Sequence, residues 1–186
     1  MKNFFFLFLA LMLTGVASPV FADEKARINN MTIQYTDETL AVDLDVTGAF
    51  INRIDNAIQS GVPTTFSFFI SLHQVRKLWM DKKLAAVEVV HTITYDPIKK
   101  KYTVNRSWDE EPPLITDDYE AARILMTHVK GLTISDLDVM KKGKRYTISA
   151  KAELNKRTLP LRLHQVLIFM ALWDFETKWK RIEFTY

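Results

Sequence analysis

Large apolar residues alternate with small or acidic residues along residues 40–46, and this pattern constrains the fold of the chain more than any other feature. Every second residue of the stretch is apolar: Leu40, Val42, Leu44 and Val46. A period of two residues is typical of a β-strand with one buried face. Another predicted strand precedes it, with apolar residues at Ile28, Met31, Ile33 and Tyr35, and the intervening Asp37 and Glu38 favour a turn. The sequence therefore predicts a β-hairpin over residues 28–46.

More strands are predicted by the same alternation. Three consecutive stretches have it, and they are residues 66–72, 87–95 and 102–104. Asp96 and Pro97 favour a tight turn between the second stretch and the third. We therefore expect an antiparallel meander, and a last strand over residues 182–186, where Ile182, Phe184 and Tyr186 alternate with polar residues.

Residues 134–152 predict a second hairpin, with Lys142 and Gly143 at its turn. This stretch aligns with residues 28–46 without a gap, at an offset of 106 residues. Duplication of a β-hairpin unit would produce such a match. The alternation that any two amphipathic hairpins share would produce it as well, so an internal repeat is one of two explanations.

The first predicted helix covers residues 50–58, where apolar residues recur at helical spacing. Thr47 is its predicted N-cap. Gly61 is expected to end the helix in a left-handed conformation, because glycine carries no Cβ penalty there and Pro63 cannot continue a helix.

The second predicted helix covers residues 119–129. Thr116 or Asp117 is its predicted N-cap, with Glu120 as the partner in a capping box. Gly131 is expected to end this helix, since glycine is common just past a helix C-terminus.

These elements predict one α+β domain over residues 23–186. We expect about eight mainly antiparallel strands in a sandwich or an open barrel, with two or three helices. The uncertain helix lies within residues 161–173, whose apolar stretch fits either a buried helix or a buried strand.

Residues 1–22 have the three parts of a cleavable signal peptide. Lys2 gives a basic start, residues 4–13 are apolar, and a small residue, Ala22, stands before Asp23. The apolar run is shorter than the roughly 20 residues that a membrane span needs. We therefore expect cleavage after Ala22, a periplasmic location and no transmembrane segment after cleavage. A retained N-terminal anchor is the alternative.

Composition excludes several function classes. Beyond residue 22 there are 24 Lys and Arg against 22 Asp and Glu, and so mild a charge does not favour nucleic acid as a partner. The chain contains no Cys, which rules out disulfides, thiol catalysis and Cys-type zinc sites. It also lacks a Gly-x-Ser-x-Gly nucleophile elbow and a phosphate-binding loop. We expect no catalytic residues, no metal ligands and no cofactor.

The four histidines do not change that expectation, because no two of them stand four residues apart as zinc ligands on a helix do. His91 lies on the apolar face of its predicted strand. A core histidine with satisfied hydrogen bonds is the interpretation that we favour for it.

A candidate interaction surface lies near the C-terminus, at Trp179, Arg181 and Phe184. Aromatic residues and Arg are the preferred anchors of protein interfaces. A terminal strand is often the edge of a sheet, where a partner can be added. Trp179 stands between Lys178 and Lys180, so we expect it to be exposed.

Basic residues gather at predicted turns, among them Arg76, Lys77, Lys82 and Lys83. Such clusters can contact anionic lipid head groups. Lysines also keep hairpin tips and strand edges soluble. We favour this second role, since the clusters are expected at opposite ends of the meander.

Residues 54–66 read Ile-Asp-Asn-Ala-Ile-Gln-Ser-Gly-Val-Pro-Thr-Thr-Phe. This order of helix, Gly61-Val62-Pro63 and strand resembles the signature of an exported bacterial family, the domain of unknown function 4390. The Leu-Pro-Leu at residues 159–161 and the Trp-Asp-Phe at residues 173–175 resemble its C-terminal motifs. The resemblance implies a signal peptide or N-terminal anchor and no established activity. In some genomes members stand beside a membrane sensor kinase, which implies a link to membrane signalling.

Three function classes stay open. The favoured class is a non-catalytic binding or interaction module of the periplasm, whose partner is an envelope protein such as a membrane sensor. The alternative is a carrier or sensor of an apolar envelope molecule, held near Phe66, Phe68 and Val166. The third class is an enzyme of unrecognised type, which would gather His, Asp and Ser in a cleft.

Overall fold

Antiparallel strands dominate the computed structural model, which describes residues 25–155 and 175–186. The strands of the described residues are β1 (Arg27–Tyr35), β2 (Thr39–Thr47), β3 (Thr64–Gln74), β4 (Lys82–Asp96), β5 (Lys101–Arg106), β6 (Leu114–Thr116), β7 (His128–Asp136), β8 (Arg145–Leu154) and β9 (Lys180–Thr185). Their helices are α1 (Asn52–Gln59), α2 (Tyr119–Thr127) and a short 3-10 helix (Leu137–Val139).

The strands form two sheets. The smaller sheet has the order β1-β2-β7, and the larger has the order β6-β5-β4-β3-β8-β9. All of these neighbours are antiparallel, and the sheets are not closed into a barrel. The predicted α+β class is therefore confirmed, in its sandwich-like form.

Local hairpins follow the sequence pattern closely. In the β1-β2 hairpin Ile28 lies opposite Val46, and Tyr35 lies opposite Leu40. The meander β3-β4-β5 also forms as predicted, with Tyr95 opposite Tyr102 across its second turn. Short connections explain this success, because a hairpin needs only a turn between two neighbouring strands.

The core lies between the inner faces of the two sheets and beneath the helices. On β3 the inward residues are Phe66, Phe68, Ile70 and Leu72, all buried. Phe68 lies between Val89 on β4 and Ala152 on β8. Leu40, Val42 and Leu44 on β2 belong to the same cluster. Because apolar residues alternate along each strand, one face of the strand is apolar and buried. Burial of apolar surface is the largest stabilising contribution in a fold of this kind.

Helix α1 ends as predicted. Gly61 has φ +79°, its N–H donates to the Ile58 carbonyl at 2.8 Å, and the Val62 N–H donates to the Ala57 carbonyl at 3.0 Å. These two bonds form the Schellman motif, which requires a left-handed residue. The start differs from the prediction: Thr47 is the last residue of β2, and Ile51 stands at the N-cap without a side-chain hydrogen bond.

The N-cap of helix α2 lies one or two residues after the predicted positions, Thr116 and Asp117. Asp118 is the N-cap, and its side chain accepts the Glu120 N–H at 2.9 Å. Thr116 instead accepts the Asp118 N–H through Oγ1, at 3.0 Å. Glu120 pairs with Arg123 at 2.7 Å, so the predicted capping box does not form.

Gly131 does not end α2. The helix stops at Thr127 and the chain enters β7 directly. Gly131 has φ +68° and lies in β7, where the pairing register with β2 shifts. Its N–H donates to Asp43 Oδ1 at 2.6 Å. Glycine here permits a β-bulge rather than a helix end.

The predicted second hairpin is wrong. Strand β7 pairs with β2 in the smaller sheet, whereas β8 lies between β3 and β9 in the larger one. Between them the 3-10 helix and the turn at Gly143 carry the chain from one sheet to the other. Residues 28–46 and 134–152 are therefore not structural copies, and shared alternation accounts for their alignment.

Two predictions fall outside the described residues. They are the signal peptide over residues 1–22 and the choice between helix and strand for residues 161–173. Among the residues that the structure does describe, no helix combines the length and the apolar character that crossing a membrane requires.

Candidate functional site

The predicted surface at the C-terminus is divided by the pleat of β9. Trp179, just before the strand, is 49% exposed. Arg181 is exposed and lies opposite Ser149 of β8, on the outer face of the sheet. Phe184 lies on the inner face, where its ring centroid is 5.8 Å from Tyr146. The structure therefore keeps Trp179 and Arg181 on one face and places Phe184 on the other.

The segment before β9 fixes the position of Trp179. The Thr177 N–H donates to the Ala152 carbonyl at 2.9 Å, and the Ala152 N–H donates to Thr177 Oγ1 at 3.0 Å. Lys151 Nζ contacts Glu153 at 2.8 Å and Glu176 at 2.6 Å. The carboxylate of Glu153, followed by that of Glu176, raises the pKa of Lys151. These contacts tie the segment to β8 two residues before the indole.

Trp179 forms one side of an open groove on the outer face of the six-stranded sheet. The groove has a volume of about 420 Å³. Its other lining residues come from β3 and β4, and they are Phe69, Ile70, Ser71, His73, Lys83, Ala86, Val87 and Glu88. We call this site the outer groove.

Strand register explains why a groove forms there. Ser71 lies opposite Ala86, so two small side chains make the floor. Phe69 lies opposite Glu88 at one end, and His73 lies opposite Lys83 at the other. Two pairs of large residues therefore flank one pair of small residues along the same two strands. This arrangement depends on cross-strand pairing, so the linear sequence does not reveal it.

The groove has chemically distinct ends. Glu88 supplies a carboxylate at one end, and the ammonium group of Lys83 lies at the other. Phe69, which lies beside Glu88, and Trp179 contribute aromatic surface to the groove. Such a combination suits a ligand that has apolar groups and carries opposite charges at its two ends.

His91 has the structural role that we predicted. It is fully buried, Trp108 Nε1–H donates to its Nε2 at 3.0 Å, and its Nδ1 lies 3.1 Å from the Met126 carbonyl oxygen. Since Nε2 accepts, the proton belongs on Nδ1, which donates to that carbonyl. Burial lowers the pKa of His91 to about 4, with the hydrogen bond to the Met126 carbonyl opposing this shift and the positive charge of Arg106 adding to it. Both ring nitrogens are thus occupied by structural bonds.

A second polar cluster, which the sequence pattern did not reveal, joins the two helices. Tyr119 of α2 donates its hydroxyl to Asp55 Oδ1 of α1 at 2.6 Å. Its ring centroid lies 5.1 Å from that of Tyr102, whose hydroxyl is bonded to the side-chain amide of Gln59. Burial, followed by the bond to Asp55, raises the pKa of Tyr119. This cluster fixes the helices to the sheet.

The rings that would line an apolar carrier cavity are packed in the core. Phe66 lies 5.3 Å from Phe50 and 4.9 Å from Phe175, measured between ring centroids. Phe68 lies 4.7 Å from the ring of His91. Val166 is outside the described residues. Within residues 25–155 and 175–186, no three His, Asp or Glu side chains gather as a metal site would need.

The fold and the outer groove define a class: an α+β sandwich-like protein with an open surface groove. The model of the family DUF4390, a domain of unknown function, matches residues 23–183. The chain therefore belongs to this family, and the resemblance carried by Gly61-Val62-Pro63 is confirmed. No curated protein and no solved structure matches the chain.

Proposed function

We propose that this chain is a non-catalytic interaction module of the bacterial cell envelope, which binds a protein partner in the outer groove. One observation carries the proposal: Trp179, a large apolar side chain, is 49% exposed beside a groove with a small-residue floor. Trp is the residue type most enriched among the side chains that dominate binding energy at protein interfaces.

The shape of the site favours an extended protein segment as its ligand. The groove runs along β3 and β4, is open to solvent, and is bounded by Glu88 at one end and Lys83 at the other. A segment with a basic residue, an apolar residue and an acidic residue in succession complements these features. A membrane sensor protein of the envelope is the partner class that we favour.

The location belongs to the same proposal. Residues 1–22 would direct export and would be removed after Ala22. N-terminal sequencing of the chain from a periplasmic extract is expected to begin at Asp23. A chain that begins at Met1 would contradict both the cleavage and the periplasmic release.

Site-specific crosslinking in cells tests the groove. A photoreactive amino acid at Glu88, an exposed position at the end of the groove, is expected to capture a discrete envelope protein. Trp179→Ala should lower that capture at least tenfold, because truncating one interface anchor commonly costs about 2 kcal/mol or more. The thermal midpoint should change little, since an exposed substitution usually shifts stability by less than about 0.5 kcal/mol.

Ile115→Ala is the matched control. Ile115 is 64% exposed and lies on β6, at the opposite edge of the same sheet. It removes exposed apolar surface away from the groove and should leave the capture unchanged. Equal capture by wild type and Trp179→Ala, or equal losses with both variants, would refute the outer groove as the binding site.

A further inference from the structure

The connection between β3 and β4 exposes three large apolar side chains in succession. Leu78 is 91% exposed, Trp79 is 80% exposed and Met80 is 90% exposed. They lie in residues 75–81, between the last residue of β3 and the first residue of β4. We call these three residues the apolar tip.

The base of this connection is closed by hydrogen bonds. Gln74 pairs with Lys82 at the last rung of the two strands. The Arg76 N–H donates to Asp81 Oδ1 at 3.1 Å, and the Val75 N–H donates to the Arg145 carbonyl at 2.9 Å. The apolar tip therefore projects from a closed hairpin end, and its exposure does not result from fraying of the two strands.

Four basic residues surround the apolar tip. Arg76 and Lys77 precede it, Lys82 and Lys83 follow it, and all four are exposed. Asp81, whose carboxylate is used to close the loop, is the one acidic residue among residues 75–83. A cationic collar around projecting apolar side chains is complementary to a bilayer, in which anionic head groups cover a hydrocarbon layer.

We propose that the apolar tip docks the protein on a bilayer surface that contains anionic lipid. Leu78, Trp79 and Met80 enter the boundary between head groups and acyl chains, where Trp is favoured. The four basic side chains remain at the level of the head groups. A solubilising role for these lysines does not explain the tip, because three exposed large apolar residues work against solubility.

The shape of the tip favours a lipid surface over a protein partner. Protein interfaces bury their aromatic anchors in pockets, and well-packed neighbours exclude water around them. Each of the three residues of the apolar tip is at least 80% exposed, so a protein partner would have to supply a pocket for each of them. A bilayer accepts such a protrusion without a complementary pocket. The experiment must therefore also be able to detect a protein partner, which is the alternative.

The absence of Cys from the chain permits a site-specific test. Met80→Cys, in the full chain, is labelled with a fluorophore that brightens and shifts to the blue in apolar surroundings. Vesicles of phosphatidylethanolamine with about one third phosphatidylglycerol provide an anionic surface. We expect a blue shift with these vesicles and a smaller shift with vesicles of phosphatidylcholine alone.

Ile98→Cys, labelled in the same way, is the matched control. Ile98 is 92% exposed in the β4-β5 turn and is followed by Lys99, Lys100 and Lys101. It combines basic residues with one apolar side chain at the opposite end of β4. The label at position 98 should remain in water. Binding of vesicles through residues 1–22 would therefore be distinguished from insertion of the apolar tip, which is reported by the label at position 80.

Unlabelled variants measure the contribution of each feature. The triple variant Leu78→Ser, Trp79→Ser, Met80→Ser should lower vesicle partitioning at least tenfold, which corresponds to about 1.4 kcal/mol. Lys82→Gln should lower it about fivefold on anionic vesicles, as expected for one basic residue at a charged surface. Trp179→Ala should leave vesicle partitioning unchanged, so a failure of this proposal is distinguishable from a failure of the outer groove.

Three results would overturn the proposal. The first is a label at position 80 that stays in water when anionic vesicles are added. The second is an equal shift at positions 80 and 98. The third is a shift at position 80 that requires envelope protein in place of lipid, which would make the tip a protein interface.

Discussion

His91 should make the stability of this protein depend on pH in a defined range. The ring is fully buried, and its Nε2 accepts a hydrogen bond from the indole of Trp108 at 3.0 Å. If Nε2 were protonated, it would be a donor that faces the N–H donor of Trp108, and the hydrogen bond between them would be lost inside the core. The folded chain therefore binds this proton only near pH 4, whereas the ordinary pKa of histidine is 6.5.

The direction of the effect follows from where each state takes up the proton. The unfolded chain protonates His91 as the pH falls through 6.5, and the folded chain does so only as it falls through about 4. The stability due to the neutral ring is complete above 6.5, is lost between 6.5 and 4, and changes no further below that range. The whole difference corresponds to about 3 kcal/mol, of which about 2 kcal/mol is lost by about pH 5.

A comparison with His91→Gln isolates this contribution from that of other titrating groups. The variant loses hydrogen bonds to Trp108 and Met126, so it should be less stable at neutral pH by about 1–3 kcal/mol. Because glutamine does not titrate, the gap between wild type and variant should shrink by about 2 kcal/mol between about pH 7 and about pH 5. Urea unfolding, followed by tryptophan fluorescence at several pH values, measures the gap.

His73→Gln is the control, since it removes an imidazole from the outer face of the sheet, where the side chain is only partly buried. Its pH dependence should follow that of the wild type. A gap between wild type and His91→Gln that stays constant down to about pH 4.5 would refute the reasoning, because His91 would then protonate alike in both states.

Three further predictions concern local structure. Gly61→Val should cost about 1 kcal/mol or more in urea unfolding, because φ is +79° there, and Gly61→Asn should cost less. Asp118→Ala should lower the free energy of unfolding by about 1 kcal/mol through loss of the α2 cap. Asp117→Ala should change it by no more than about 0.5 kcal/mol. The opposite order would contradict the observed cap. Tyr119→Phe and Asp55→Asn should show a coupling energy of about 0.5 kcal/mol or more in a double-mutant cycle, since their side chains meet at 2.6 Å.

The parts of the fold that could be predicted are those set by neighbouring residues. The β1-β2 hairpin and the β3-β4-β5 meander each join strands that follow one another through a connection of at most seven residues. The partner of β7 does not follow from neighbouring residues, because β2 precedes β7 by more than 80 residues in the sequence, with Leu132 opposite Val42. Alternation tells which side chains of a strand are buried, but it does not tell which strand lies beside it.

The candidate sites also differ in whether neighbouring residues in the sequence are enough to predict them. Exposure of Trp179 followed from the lysines on either side of it, and the inward position of Phe184 follows from the alternation within β9. The outer groove required the pairing of Ser71 with Ala86 across two strands, which the sequence does not state. The apolar tip carried a local signal that our sequence interpretation missed. Three large apolar residues between basic pairs, in a turn between two strands, are out of place in a solubilising loop.

The outer groove and the apolar tip share two strands, and this has a consequence for the choice of partner. His73 and Lys83, which face each other at one end of the groove, lie one rung away from Gln74 and Lys82, where the tip begins. Successive residues of a strand are about 3.3 Å apart. A docked tip would therefore hold that end of the groove close to the head groups, with Glu88 farther from the bilayer. A partner that reaches this site must carry its binding segment beside the membrane surface, as a membrane-anchored sensor does.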